Sequence, residues 1–175
     1  MRNMAVGILI VVLIAAFIQP LIEIANVLKE KVTLGAAILN SCRAARNSAL
    51  ASGDYYSGGE NMGDLNAFLD EDRFRSFFAE AFSETLGVDI VGMSANTIHF
   101  AANARWDSID VRIDLEYDDA SNFGLAFSGR GVSRATIQAN SPYVFRTGIL
   151  RSMADASGGG YRIEEKKVFL VQMIN

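Results

Sequence analysis

The chain has 175 residues, half of them hydrophobic, with a net charge of -4 and an isoelectric point near 5. That balance lacks the basic footprint of a nucleic-acid partner. One cysteine, Cys42, and one histidine, His99, exclude an intrachain disulfide, a cysteine-based zinc site and any histidine pair.

The first element is an apolar rod. From Asn3 to Ile22 there is no charge, about the length needed to cross a bilayer core. Gln19 and Pro20 interrupt the run, and its strictly apolar part ends at Ile18. Arg2 gives a basic start, but Ala15-Ala16-Phe17-Ile18-Gln19-Pro20 offers no small-x-small cleavage site, so the rod is expected to be retained. Arg2 lies on one side of it and Lys29, Lys31, Arg43 and Arg46 on the other. The positive-inside rule therefore does not favour sending the soluble part outward.

From Leu21 the period is helical, with Leu21, Ile24, Ala25, Leu28, Val32, Gly35, Ala36, Leu39 and Cys42 forming the expected inward face. Ser52 and Gly53 supply a stop. A continuous helix from Met4 to Ser52 would be about 73 Å long. Pro20, which lacks a backbone donor and crowds the preceding turn, is expected to bend or locally melt it. Gly7, Ala15 and Ala16 in the rod, with Gly35, Ala36, Ala37, Ala44, Ala45, Ala49 and Ala51 above it, would let neighbouring helices approach closely. The upper set is expected to pack on the protein's own sheet. The rod must find lipid or copies of itself.

The segment AAFIQPLIEIA, with Pro20 and Glu23, followed by SCRAARNSALAS in an alanine- and arginine-rich helix, resembles the type IV pilin superfamily. It is most similar to minor pilin-like proteins of the tight-adherence type. The resemblance covers about residues 1 to 52. Only MRN precedes the apolar run, and no carboxylate comes before Glu23, unlike main-type pilins with their basic leader and early glutamate. The resemblance implies a homo-oligomeric helical filament at the cell surface, built from subunits held in the membrane before assembly. Its expected interface is Met4, Gly7, Ile8, Val11, Ile14, Ala15, Ile18, Pro20 and Glu23 with Arg2. Glu23 would pair with Arg2 or the terminal amine of a neighbouring copy.

After the helix, GDYYSGGENMGD reads as a surface loop. A second helix is predicted over Asp70 to Leu86, opened by acidic residues and closed by Gly87, with Phe74, Phe77, Phe78, Ala81 and Phe82 at helical spacing as core. Strict alternation over Ser108 to Tyr117 predicts a half-buried antiparallel strand, with Ile109, Val111, Ile113, Leu115 and Tyr117 on one side. Further strands are expected at 97–101, 123–127, 132–138, 143–147 and 161–174, with hairpins at DDASN and SGRG and a flexible SGGG joint at 157–160. The predicted fold class is α+β: a long N-terminal helix and a second helix packed on a mainly antiparallel sheet. The expected divisions are 1–28 for the apolar segment, 29–52 for its amphipathic continuation and 53–175 for a globular head.

No catalytic constellation emerges. His99 sits in the apolar context Thr-Ile-His-Phe-Ala and reads as structural. No second base exists for a nucleophile pair. Asp114, Glu116, Asp118 and Asp119 do not follow the calcium-loop spacing and read as a solvated strand edge. No enzyme activity, cofactor, metal or small-molecule substrate is expected. The expected function is a structural filament subunit polymerising through its N-terminal helices. The alternatives are a single-pass accessory protein of a secretion, adhesion or conjugation apparatus and, third, an anchored ligand-binding or enzymatic domain.

Overall fold

A computed structural model describes residues 2–51, 71–119, 130–156, 158 and 160–170. The loop expected after residue 52, the strand expected at 123–127 and the last residues of the strand expected at 161–174 lie outside the described residues.

Helix α1 (Arg2–Ala51) passes through Pro20 without interruption. The expected local melting is therefore absent: a proline removes one donor, and the remaining ladder carries the helix past it. Helix α2 (Glu71–Leu86) follows the Phe periodicity. Phe74, Phe78 and Phe82 are fully buried and form a continuous ring contact, ending on Phe100 at 4.9 Å between centroids. The helix closes as its sequence suggests. Gly87 has φ 63°, and the Val88 N–H donates to the Ser83 carbonyl at 3.1 Å, the Schellman arrangement. The Asn103 amide then donates to the Leu86 and Gly87 carbonyls.

Strands β1 (Ile90–Met93), β2 (Thr97–Phe100), β3 (Ile109–Asp119), β4 (Arg130–Tyr143) and β5 (Tyr161–Leu170) form one sheet in the order β1-β2-β3-β4-β5. The first three pairings are antiparallel, and β3 pairs β4 from Asp110↔Asn140 to Asp119↔Arg130. Ile109, Val111 and Ile113 face inward as the alternation predicts. The α+β class is therefore as the sequence predicts. Three elements differ from expectation. Residues 144–147 are not a strand, and a third helix, α3 (Gly148–Ala156), separates β4 from β5. β1 was not expected either.

The chain divides into two compact units: Met1–Thr33 with Pro142–Ile163, and Leu34–Ser141 with Glu164–Asn175. This division differs from boundaries drawn at residues 28 and 52. The first unit takes a late segment of the chain, 142–163, which no pattern confined to the N-terminus reveals.

In the second unit, the core combines Leu34, Ile38, Cys42 and Ala45 of α1 with the Phe residues of α2 and the inward side chains of β2, β3 and β4. Gly35 allows close approach here: a Cβ would stand 3.2 Å from Glu165 Cγ and from Lys167 Cε. The Arg46 guanidinium lies over the Phe169 ring at 5.5 Å.

Candidate functional site

The expected assembly residues lie on α1, and all those whose side chains are described between Met4 and Ile18 are exposed. Met4, Ile8, Val11, Ile14 and Ile18 present large apolar side chains to the surroundings on a segment long and apolar enough to cross a membrane. Gly7 has open space around it. Ala15 is exposed and Pro20 half-buried. The Arg2 side chain lies outside the described residues.

Beyond Ile22 the helix has two contrasting faces. Glu23 and Val27 are buried and Glu30 is half-buried. Leu21, Ile24, Leu28 and Val32 are exposed, Leu28 at 57% and Val32 at 73%. At about 100° per residue these two sets lie on nearly opposite sides of the helix. This corrects the expected inward face. Leu21, Ile24, Ala25, Leu28, Val32 and Ala36 point outward, Leu39 is half-buried, and only Gly35 and Cys42 of that set are buried. The stripe had the right period, but the partner chosen by the first unit is a polar one on the other side.

That partner is built around Glu23, which is only 6% exposed. Its carboxylate accepts the Arg146 N–H through Oε1. Through Oε2 it accepts the Thr147 N–H at 3.0 Å and the Thr147 hydroxyl at 2.6 Å. Thr147 immediately precedes α3, and its carbonyl accepts the Arg151 N–H at 3.0 Å. Thus a carboxylate from α1 satisfies donors that the N-terminal end of α3 would otherwise leave open, and its charge suits the positive end of that helix. The expected pairing of Glu23 with a neighbour's Arg2 or amine loses its motive, because the carboxylate is already held by its own chain.

Around this carboxylate, Tyr143, Phe145 and Tyr161 form a tilted and edge-on ring cluster, with centroids 5.1 to 6.4 Å apart. Burial pushes the Tyr143 hydroxyl above its usual pKa, and the charges of Glu23 and Glu30 push it the same way. The sequence carried one signal for this site. Thr147 before Gly148-Ile149-Leu150 is a helix N-cap pattern, hidden because Tyr143 to Thr147 also reads as a strand.

The other polar candidates are engaged in ordinary pairs. His99 Nδ1 lies 2.7 Å from Asp110 Oδ1 across β2 and β3, both side chains being about half exposed. Arg112 pairs with Asp114, and Arg134 with Glu116. The side chains of Asp118 and Asp119 lie outside the described residues. Among the described residues, no three His, Cys, Asp or Glu side chains gather as a metal-binding group. Cys42 is fully buried, and burial pushes its thiol up to about 12, so it has neither access nor thiolate character.

Comparison with protein-family models, curated proteins and solved structures finds no match.

Proposed function

We propose that this chain is a structural subunit of a pilin-like surface filament. It would polymerise by packing the exposed apolar face of α1 against α1 of neighbouring copies, after residing in a membrane. The observation that carries this reading is the reach of that face. It extends from Met4 to Val32, about 42 Å along a helix, whereas a bilayer's hydrocarbon core is about 30 Å thick. A simple anchor needs apolar surface only within the lipid. Leu28 and Val32 continue it past the first charged residues, on the side of the helix opposite Glu23 and Val27, and a second helix is the partner that such a one-sided stripe fits.

Lipid and neighbouring helices are comparably apolar, so assembly would gain little from the rod's transfer itself. The drive would come from close packing at Gly7 and Ala15 and from removing the upper stripe from water at about 25 cal/mol per Å².

The rod up to Ile22 also has the length of a single bilayer crossing, which supports the alternative of a membrane-anchored accessory protein. Electron microscopy of sheared surface material from cells expressing the full chain separates the two. Filaments that contain the protein are expected. A chain found only in the membrane fraction, with no filament, would favour the anchor.

A further inference from the structure

The first unit contains a second feature at the end of the rod. Helix α3 has no buried residue. Ile149 and Met153, one turn apart on the same face, are exposed, Met153 at 66%, and Val144 before the helix is exposed as well. Leu150 and Ala154 are half-buried on another face. Arg146, just before the helix, and Arg151, on the side of α3 opposite Ile149 and Met153, are both exposed.

The location of this face is fixed by Glu23. That residue directly follows the last uncharged residue of the rod, and it holds Arg146 and Thr147 by hydrogen bonds. Ile149 is two residues beyond Thr147, and therefore within about 8 Å of it whichever way α3 points. That distance is comparable to the depth of one headgroup layer, the difference between the full bilayer and its core shared between two leaflets.

Charge is distributed in the same sense. Leaving aside Arg2 at the rod's far end, the first unit holds five lysines and arginines against three acidic residues, and the second ten against seventeen. The basic unit of an acidic chain is thus the one that carries the rod.

We propose that α3, with Val144, Ile149 and Met153 inserted, Arg146 at the headgroups and Arg151 on the outward polar side, docks on the anionic lipid surface of the bilayer that holds the rod. This rests on the reading that the rod occupies a membrane before assembly. The chemistry is that of an interfacial amphipathic helix: apolar area entering the acyl boundary and a basic side chain on acidic phosphates. Glu23 orients it, because the same carboxylate that closes the N-terminal end of α3 pins that end at the rod's exit. In a filament precursor the contact would set the depth of the subunit and be surrendered on extraction.

The test uses the full chain in vesicles with an environment-sensitive fluorophore on a single introduced cysteine, the native Cys42 being buried. Three labelled proteins are compared: Leu13→Cys in the rod, Met153→Cys on α3 and Val91→Cys on the exposed face of β1. Vesicles are phosphatidylcholine alone or an equal mixture with phosphatidylglycerol, each with a lipid-borne quencher. Quenching is expected at 13 and 153 but not at 91, and quenching at 153 falls in phosphatidylcholine alone. Arg146→Gln should lower the docked-to-undocked ratio about fivefold, and Arg151→Gln, on the outward side, by less, while position 13 is unchanged. Quenching at 13 with position 153 as exposed as 91 would overturn the docking while leaving the rod in the membrane. Shielding at 153 that grows with protein density and ignores lipid charge would also overturn it, marking a contact between copies. Absence of quenching at 13 would remove the membrane reading of the rod, and this proposal with it.

Discussion

The two compact units make opposite use of the same kinds of side chain. The second unit gathers Phe74, Phe78, Phe82, Phe100, Ile109, Val111, Ile113 and Ile137 into an interior closed to solvent. The first unit buries a glutamate and leaves Ile8, Val11, Ile14, Phe17, Leu21, Leu28 and Val32 outside. Apolar composition alone therefore does not tell core from contact surface; its disposition around the helix does. The first unit buries the hydrogen-bonded carboxylate beside Val27, Phe145 and Ile163 and presents a larger apolar face outward, the feature on which the proposed helix contact rests. Among the described residues the second unit leaves fewer large apolar side chains exposed: Ile90, Val91, Met93, Val168 and Leu170.

The contrast can be broken or sharpened by substitution in the full chain, using Trp106, which is buried in the second unit, as that unit's fluorescent reporter. The largest effect is expected from Phe78→Ala. Emptying the centre of the α2 ring stack should cost about 3–5 kcal/mol, read as a large fall in the denaturant midpoint of the Trp106 transition.

Next is Glu23→Gln, which removes the charge and turns an amide group towards donors, at a cost of about 1–3 kcal/mol. Hydrogen exchange should quicken at the Arg146 and Thr147 amides while the Trp106 transition moves far less. A loss of equal size in both units would erase the distinction between them.

A smaller effect concerns Tyr143. Burial, then the charges of Glu23 and Glu30, raise its pKa above 10.0. The folded state thus holds the phenol proton more tightly than the unfolded chain. This contribution to stability is fully present below about pH 10 and is lost as pH rises through the folded value. The phenolate absorbance difference between the parent and Tyr143→Phe measures that titration, and Glu23→Gln should bring it back towards 10.0.

The smallest change is expected for Gly35→Ala. The atoms that a Cβ would meet at 3.2 Å belong to the flexible side chains of Glu165 and Lys167, and alanine is the better helix former by about 1 kcal/mol. The net shift should stay within about 1 kcal/mol, measured by chemical denaturation.

Where one physical pattern dominates, the fold was legible from the residues. Alternation over residues 109–113 and the Phe spacing of α2 each permit a single burial scheme, and the sheet and second helix follow. The face of α1 was not legible, because Leu21, Ile24, Leu28 and Val32 have the period of a core stripe and nothing local says whether the partner is the same chain. Glu23, expected to face a neighbouring copy, lies instead on the buried side, where Arg146 and Thr147, more than a hundred positions away, supply its donors. Helix α3 is nine residues long and opens directly from a β-like run, so its N-cap was masked by the aromatic and β-branched residues before it.

The most direct measurement is filament assembly by Val32→Glu in the full chain, assayed by electron microscopy alongside the parent and alongside Trp106 unfolding. Val32 is exposed, so folding stability should change by no more than about 0.5 kcal/mol, while a charge placed in the helix contact should abolish filaments that the parent forms. Filaments of normal length and number from Val32→Glu would contradict the role assigned to the outward face of α1.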